Sequence, residues 1–298
     1  VFTMCNNKTT GFGSCDLYFS IFENGKWTIP VNMGHKVNSA AWDSQPVLSP
    51  DGRTLLFSSR RLGTLGGNDL WMTWRNEKNA WVTPVNLGPQ VNSAGDDETP
   101  FLHPDGMTLY FRSNGRVGMG NFDIYVCRRN DIHEPWGEPE NIGYPINSEG
   151  AEGAFVVSLE GKKAYFSSDT DYKTGKNMKQ LDIYSMDLYE RARPRPSTFV
   201  KGKVFDAVTG KPLEARITVK DLTTGNTVFE VPRAADGWFI SGISTGINYI
   251  CIAQYPGYRY YSQNFDLLAT ATPDKPYILD IRMDPVEKIP ENIPVVLH

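Results

Sequence analysis

The four histidines are His35, His103, His133 and His298, and none stands at metal-ligand spacing from another His or a Cys. Each falls in a turn, a loop or the terminus, so turn or solvent-facing histidines are expected and no metal site is. No Gly-x-Ser-x-Gly crosses a strand-to-helix turn, and no Gly-rich loop ends in Lys-Ser/Thr. The corresponding hydrolase and nucleotide-binding chemistries therefore lack their machinery. The pattern with chemical content is a recurring carboxylate: Asp43, Asp97 and Glu152 stand at equivalent places, each two or three residues before an expected apolar strand. Such acids could ring a channel mouth and contact a cation or a basic peptide of a partner. Alternatively, each could accept backbone N–H groups and cap its own loop. Glycoside hydrolysis needs two carboxyls in different environments, and near-equivalent acids supply no such asymmetry. No catalytic residue and no cofactor is expected, and the chain reads as a non-enzyme. Asp69, Asp123 and Asp182 also recur, at strand starts, where turn capping is the expected task.

These acids belong to an internal repeat. Ser49-Pro50-Asp51-Gly52-Arg53-Thr54-Leu55-Leu56-Phe57 returns as His103-Pro104-Asp105-Gly106-Met107-Thr108-Leu109-Tyr110-Phe111, and more weakly as Leu159-Glu160-Gly161-Lys162-Lys163-Ala164-Tyr165-Phe166. In the same register run Asp16-Leu17-Tyr18, Asp69-Leu70-Trp71, Asp123-Ile124-Tyr125 and Asp182-Ile183-Tyr184. A third motif pairs Val31-Asn32 with Val37-Asn38-Ser39, Val85-Asn86 with Val91-Asn92-Ser93, and Asn141-Ile142 with Ile146-Asn147-Ser148. The period is about 54 residues, and each unit reads as four short strands, which describes a β-propeller blade. Pro50 presets one turn φ and Gly52 takes the positive φ that closes the hairpin. Trp27, Trp81 and Trp136 follow the period and are expected in the blade core. Trp42, Trp74, Tyr258, Tyr260 and Tyr261 do not, which makes them candidates for an interface.

Residues 1–190 are thus an all-β propeller with four recognisable blades. The first lacks its first strand, so a further strand or blade is expected upstream. Alternating Pro in 191–198 marks a linker. Residues 199–284 read as a small seven-stranded β-sandwich, and 285–298 as an extended linker. Cys5 and Cys15 flank one hairpin loop and are either disulfide-bonded, as suits an oxidising periplasm, or two buried thiols. Cys127 and Cys251 fall in different domains and are expected to be free.

The Ser-Pro-Asp-Gly-x-Thr-Leu-x-Phe units followed by Asp-Ile/Leu-Tyr/Trp resemble the TolB-like, WD40-like (PD40) propeller repeats of bacterial envelope proteins. Residues 200–213, with Asp236-Gly237-Trp238-Phe239 and Tyr255-Pro256-Gly257-Tyr258, resemble a carboxypeptidase regulatory-like domain. This order, closing on Pro294-Val295-Val296-Leu297, is similar to the middle of PorE-type, OmpA-family envelope proteins of the Bacteroidetes type IX secretion system. The resemblance implies a periplasmic scaffold whose propeller docks other cell-envelope or secretion-system proteins. It also implies an outer-membrane association through an upstream lipid anchor, and peptidoglycan binding through a downstream domain outside these residues. The Ser-Pro-Asp-Gly turn also resembles the sialidase aspartate box, although here Gly follows Asp directly. A propeller glycoside hydrolase or carbohydrate-binding module is the alternative.

Composition agrees with the strand-rich reading. The 298 residues include 27 Gly and 20 Pro, with 12% aromatics. That is an excess of turn formers over the roughly 12% Gly plus Pro of average chains. The formal net charge of −4 comes without long runs of one sign. A nucleic-acid partner is therefore not indicated, and no apolar run is long enough to span a bilayer as a helix.

Overall fold

A computed structural model describes residues 1–6, 9–267 and 275–286. The chain is all-β: a propeller arc followed by a β-sandwich. Blade one holds β1 (Phe2–Cys5), β2 (Cys15–Phe19), the small hairpin β3 (Phe22–Glu23) and β4 (Lys26–Trp27), and β5 (Val31–Asn32). Blade two holds β6 (Asp43–Leu48), β7 (Thr54–Ser59), β8 (Asp69–Trp74) and β9 (Val85–Asn86). Blade three holds β10 (Asp97–Leu102), β11 (Thr108–Ser113), β12 (Asp123–Arg128) and β13 (Glu140–Asn141). Blade four holds β14 (Glu152–Val157), β15 (Lys163–Asp171) and β16 (Lys176–Asp187). Each of blades two and three is one antiparallel four-stranded sheet in chain order. Blade one pairs β1-β2-β5 and blade four pairs β14-β15-β16, three strands each.

The repeated glycines close the first hairpin of blades two to four as the turn chemistry requires. Gly52, Gly106 and Gly161 have φ of 68°, 72° and 71°, and each donates its N–H to the carbonyl three residues back. A second irregularity recurs without any glycine to announce it. Gln45, Thr99 and Ala154 take φ of 54°, 50° and 45° in the middle of β6, β10 and β14, where the pairing register with the next strand shifts. Such bulges add local twist to the innermost strand. Each junction between neighbouring sheets is filled by its own apolar cluster. Leu17, Leu55 and Phe57 lie between blades one and two, Leu70, Leu109 and Phe111 between two and three, and Tyr110, Phe155 and Phe166 between three and four.

The sandwich comprises β17 (Ser197–Asp206), β18 (Arg216–Asp221), β19 (Thr227–Val231), β20 (Trp238–Ser244), β21 (Asn248–Gln254), β22 (Tyr261–Asp266), β23 (Tyr277–Ile278) and β24 (Ile281–Met283). One sheet runs β20-β17-β23, with β24 continuing along β17, and the other runs β19-β18-β21-β22. Alternation along β18 and β21 buries Ile217, Val219, Tyr249 and Cys251 between the sheets. The seventh strand expected over Tyr277 to Met283 is two short ones. The 285–298 segment lies outside the described residues beyond Val286.

The segment between the domains is held rather than loose. A short 3₁₀ turn at Glu190–Ala192 offers the Ala192 carbonyl to the Tyr110 hydroxyl (2.6 Å). Arg195 N–H donates to Asp105 Oδ2 (3.2 Å), and Ser197 N–H to the Leu159 carbonyl (2.8 Å). The sandwich then rests on the hairpin-tip face of the propeller. The Asp131 carboxylate accepts Thr227 N–H at 2.6 Å, Ile132 N–H reaches the Thr227 carbonyl, and His133 lies 3.6 Å from Glu230. Gly242 lies so close to the Pro104 carbonyl that a Cβ there would stand 2.0 Å from its oxygen.

Cys5 and Cys15 are cross-strand register partners of β1 and β2 and form a disulfide. Cys127 and Cys251 are free and buried, and burial pushes both thiols up to about 12. A thiol reagent at pH 8 is expected to find no reactive cysteine in the native chain, two after unfolding, and four after unfolding with reductant. Four reactive thiols on unfolding without reductant would contradict the disulfide.

Candidate functional site

The first strands of blades two to four begin, and the second strands end, on the propeller face opposite the sandwich. That face is built from the loop between the second and third strands of each blade and the loop leading to the next blade. Three polar devices recur in it. In the first, an asparagine closes the sheet where the short fourth strand ends. Asn38 Oδ1 accepts Leu17 N–H (2.8 Å), while its Nδ2 donates to the Leu17 carbonyl (3.0 Å) and to Asn32 Oδ1 (2.8 Å). Asn92 does the same for Leu70 and Asn86, and Asn147 for Ile124 and Asn141. All three asparagines are buried.

The second device is the strand-start aspartate. Asp16, Asp69 and Asp123 accept the backbone N–H four residues earlier, from Phe12 (2.8 Å), Leu65 (2.7 Å) and Met119 (2.7 Å). These loops also lean on the neighbouring blade: Ser14 N–H donates to the Ala41 carbonyl, Gly67 N–H to Gly95, and Asn121 N–H to Gly150. Asp182 does not share this task. It is exposed in the middle of β16, because blade four has one long hairpin there in place of the loop.

The third device comprises the acids singled out above, Asp43, Asp97 and Glu152, all fully buried. Asp43 accepts Ser39 N–H (2.6 Å) and Ser39 Oγ–H (2.8 Å) on one oxygen. Its other oxygen accepts Ser59 Oγ–H and Arg61 Nη2–H, both at 2.5 Å. Asp97 accepts Ser93 N–H and Oγ–H, and Glu152 accepts Ser148 and Ser168 hydroxyls. Their oxygens face their own loops, which is the capping arrangement rather than a ring of acids open to a channel. Arg61, Arg116 and Tyr172 occupy equivalent places above them and donate to the carbonyls of Val37, Val91 and Ile146.

The periodic tryptophans are not alike. Trp136 is 5% exposed, Trp81 is half-buried, and Trp27 is 70% exposed. Arg75 and Arg129 stack on Trp81 and Trp136 at 4.5 and 4.4 Å and donate to the Gly52 and Gly106 carbonyls. Blade one has Ile21 at the arginine position, so Trp27 lacks the stacked cation and sets its ring against Phe22 at 5.2 Å. The spacing of Arg75 and Arg129 by one period is the signal for this stack.

Besides exposed polar groups such as Arg60, the face presents a repeated set of apolar side chains. Phe12, Leu65 and Met119, at equivalent positions of three successive blades, are 50%, 51% and 48% exposed. Leu62 and Val117, also equivalent, are 101% and 97% exposed. Tyr144 extends the set on the adjoining loop. Isolated exposed apolar residues are ordinary, but repetition on one face, on loops pinned by aspartates, is a surface with a shape. In sequence, the signal is an apolar residue four places before each recurring Asp.

No protein-family model and no curated protein sequence matches the chain. Among solved structures, the putative TolB from Agrobacterium tumefaciens is 15% identical over 76% of this chain and 69% of its own, with a TM-score of 0.37. A xylan β-1,4-xylosidase from Bacillus halodurans is 12% identical over 88% and 73%, with a TM-score of 0.39. The periplasmic gluconolactonase PpgL from Pseudomonas aeruginosa is 12% identical over 77% and 67%, with a TM-score of 0.32. Likenesses this distant carry no argument about activity or partner. The propeller and sandwich stand on the chain's own sheets.

Proposed function

We propose that the protein is a non-enzymatic periplasmic scaffold of the bacterial envelope whose propeller docks a protein partner through its loop face. The observation that carries this reading is the row of exposed apolar side chains, Phe12, Leu62, Leu65, Val117 and Met119, on rigid loops facing away from the sandwich. Propellers suit such work because a stiff radial core presents many loops on one face. The recurring acids support a non-catalytic role, since each is fully buried and commits at least one oxygen to the backbone N–H or hydroxyl of its own loop serine. The motif resemblance to PorE-type proteins supports a component of the type IX secretion apparatus as the partner. The same resemblance supports anchoring through a lipid and a peptidoglycan-binding domain supplied by other parts of the full-length protein.

The test immobilises the chain and compares capture of secretion-system components with that by a Leu62→Asp/Leu65→Asp/Val117→Asp/Met119→Asp variant. Burying one large aliphatic side chain is worth about 1.5–3 kcal/mol, so at least a tenfold loss of binding is expected with an unchanged melting temperature. Equal capture by the two chains would overturn the face assignment. Turnover of a glycan by the purified chain would overturn the non-enzymatic reading.

A further inference from the structure

We infer that the groove where the sandwich meets the outer loop of blade two is an oligosaccharide-binding site, with Tyr255, Tyr258 and Tyr260 stacking on sugar rings. The site is separate from the loop face and does not depend on the scaffold reading. Its volume is about 680 Å³, within the range of about 300–1,000 Å³ typical of small-ligand sites. Glu77 and Lys78 of the propeller form one wall, and Glu214, Arg216 and Arg233 of the sandwich line the other side.

The aromatic part is built on a fixed turn. Tyr258 N–H donates to the Tyr255 carbonyl (3.1 Å), and Gly257 takes φ of 83°. The turn is tied down on both sides, by Arg259 N–H to the Asp284 carbonyl and Val286 N–H to the Gly257 carbonyl. The Tyr255 and Tyr258 rings stand 5.5 Å apart at 61°, and the Tyr258 hydroxyl donates to Asp206 Oδ2 at 2.6 Å. Tyr260 follows directly and is 79% exposed. A large ring held open to solvent on an anchored turn is a ready stacking surface.

The charged groups select the ligand class. Arg233 is paired with Glu214, and Arg216 with Glu230 at 2.7 Å. The floor is therefore close to neutral while still rich in planar N–H donors and carboxylate acceptors. A polyanion finds no unpaired cluster of positive charge there. A neutral polyhydroxylated ligand finds what it needs: flat apolar faces for its C–H edges, with paired donors and acceptors for its hydroxyls.

The whole chain is titrated calorimetrically with chitotetraose, cellotetraose and xylotetraose, and separately with a proline-rich decapeptide. At least one oligosaccharide is expected to bind. Affinity should fall tenfold or more in Tyr260→Ala and in Arg233→Ala, with melting temperatures unchanged, and stay unaltered in Tyr165→Ala, an exposed tyrosine of blade four. Absence of binding by every oligosaccharide at millimolar concentration overturns the proposal. So does oligosaccharide binding indifferent to Tyr260→Ala, or binding of the decapeptide alone.

Discussion

Replacing Asn92 by alanine is expected to destabilise the propeller by about 1–3 kcal/mol, a large effect for a single polar substitution. Asn92 is 2% exposed; its Oδ1 accepts the Leu70 N–H at 2.8 Å, and its Nδ2 shares the Leu70 carbonyl with the Leu87 N–H (3.0 and 3.1 Å). The variant leaves the buried Leu70 N–H without this acceptor, and an unmade buried hydrogen bond costs about 1–3 kcal/mol; the Leu70 carbonyl keeps the Leu87 N–H. It also releases Asn86, whose Oδ1 accepts from Asn92 Nδ2 at 2.7 Å. Asn92→Asp is expected to do no better, because a carboxylate oxygen would face the Leu70 carbonyl where an N–H donor is needed. Urea unfolding followed by tryptophan fluorescence measures the loss, and amide exchange at Leu70 locates it. A change below about 0.5 kcal/mol, the range of ordinary surface substitutions, would show that the asparagine is dispensable.

Asp43 and Asp97, equivalent in the repeat, are expected to respond to neutralisation with opposite signs. Asp43 faces Arg61, whose guanidinium also stacks against Phe57 and Trp71 at 4.8 and 5.2 Å. Asp43→Ala leaves that mostly shielded cation without its carboxylate and should cost about 3 kcal/mol, the lower end for a broken buried pair, since Arg61 keeps the Val37 carbonyl and Ser59 Oγ. In blade three, Arg116 turns to the Gln90 and Val91 carbonyls instead, and Asp97 Oδ1 has no hydrogen-bond partner among the described residues. Burial raises the Asp97 pKa above its ordinary 3.8, with the Ser93 hydrogen bonds offsetting part of the rise. An acid that holds its proton more tightly folded than unfolded lowers stability as pH climbs from below 3.8 through the raised folded value. Asp97→Asn removes that loss while its Oδ1 can keep the Ser93 bonds. The variant is expected to melt above the native chain at pH 7, with the difference closing below pH 3.8. A variant that melts lower at pH 7, or a gap independent of pH, would contradict this account.

The opposite fates of these two acids show where sequence reading stops. Both open a similar strand, where sequence spacing places them two or three residues before it, and both follow a similar Asn-Ser, so the local signal is the same. What separates them is whether the arginine eighteen or so residues on reaches the carboxylate, and that depends on how the intervening loop is carried by the next blade. The three tryptophans give the same lesson. Equal spacing placed Trp27, Trp81 and Trp136 in one class, but Trp27 lacks the stacked arginine and stays in solvent. The bulges at Gln45, Thr99 and Ala154 left no trace either, because a left-handed residue is legible only when glycine supplies it.

The amino-acid sequence by itself determined the blade period, the hairpin turns at Gly52, Gly106 and Gly161, the change to a second β domain, and which cysteines lie near enough to pair. All of these depend on turn chemistry and two-residue alternation, which act over a few neighbours. Only the tertiary structure decided that the recurring acids point into their own loops, that Phe12, Leu65 and Met119 share one open face, and that Tyr260 borders a groove. Burial, charge pairing and exposure are properties of what the neighbouring blade and the sandwich bring alongside, and no local pattern encodes them.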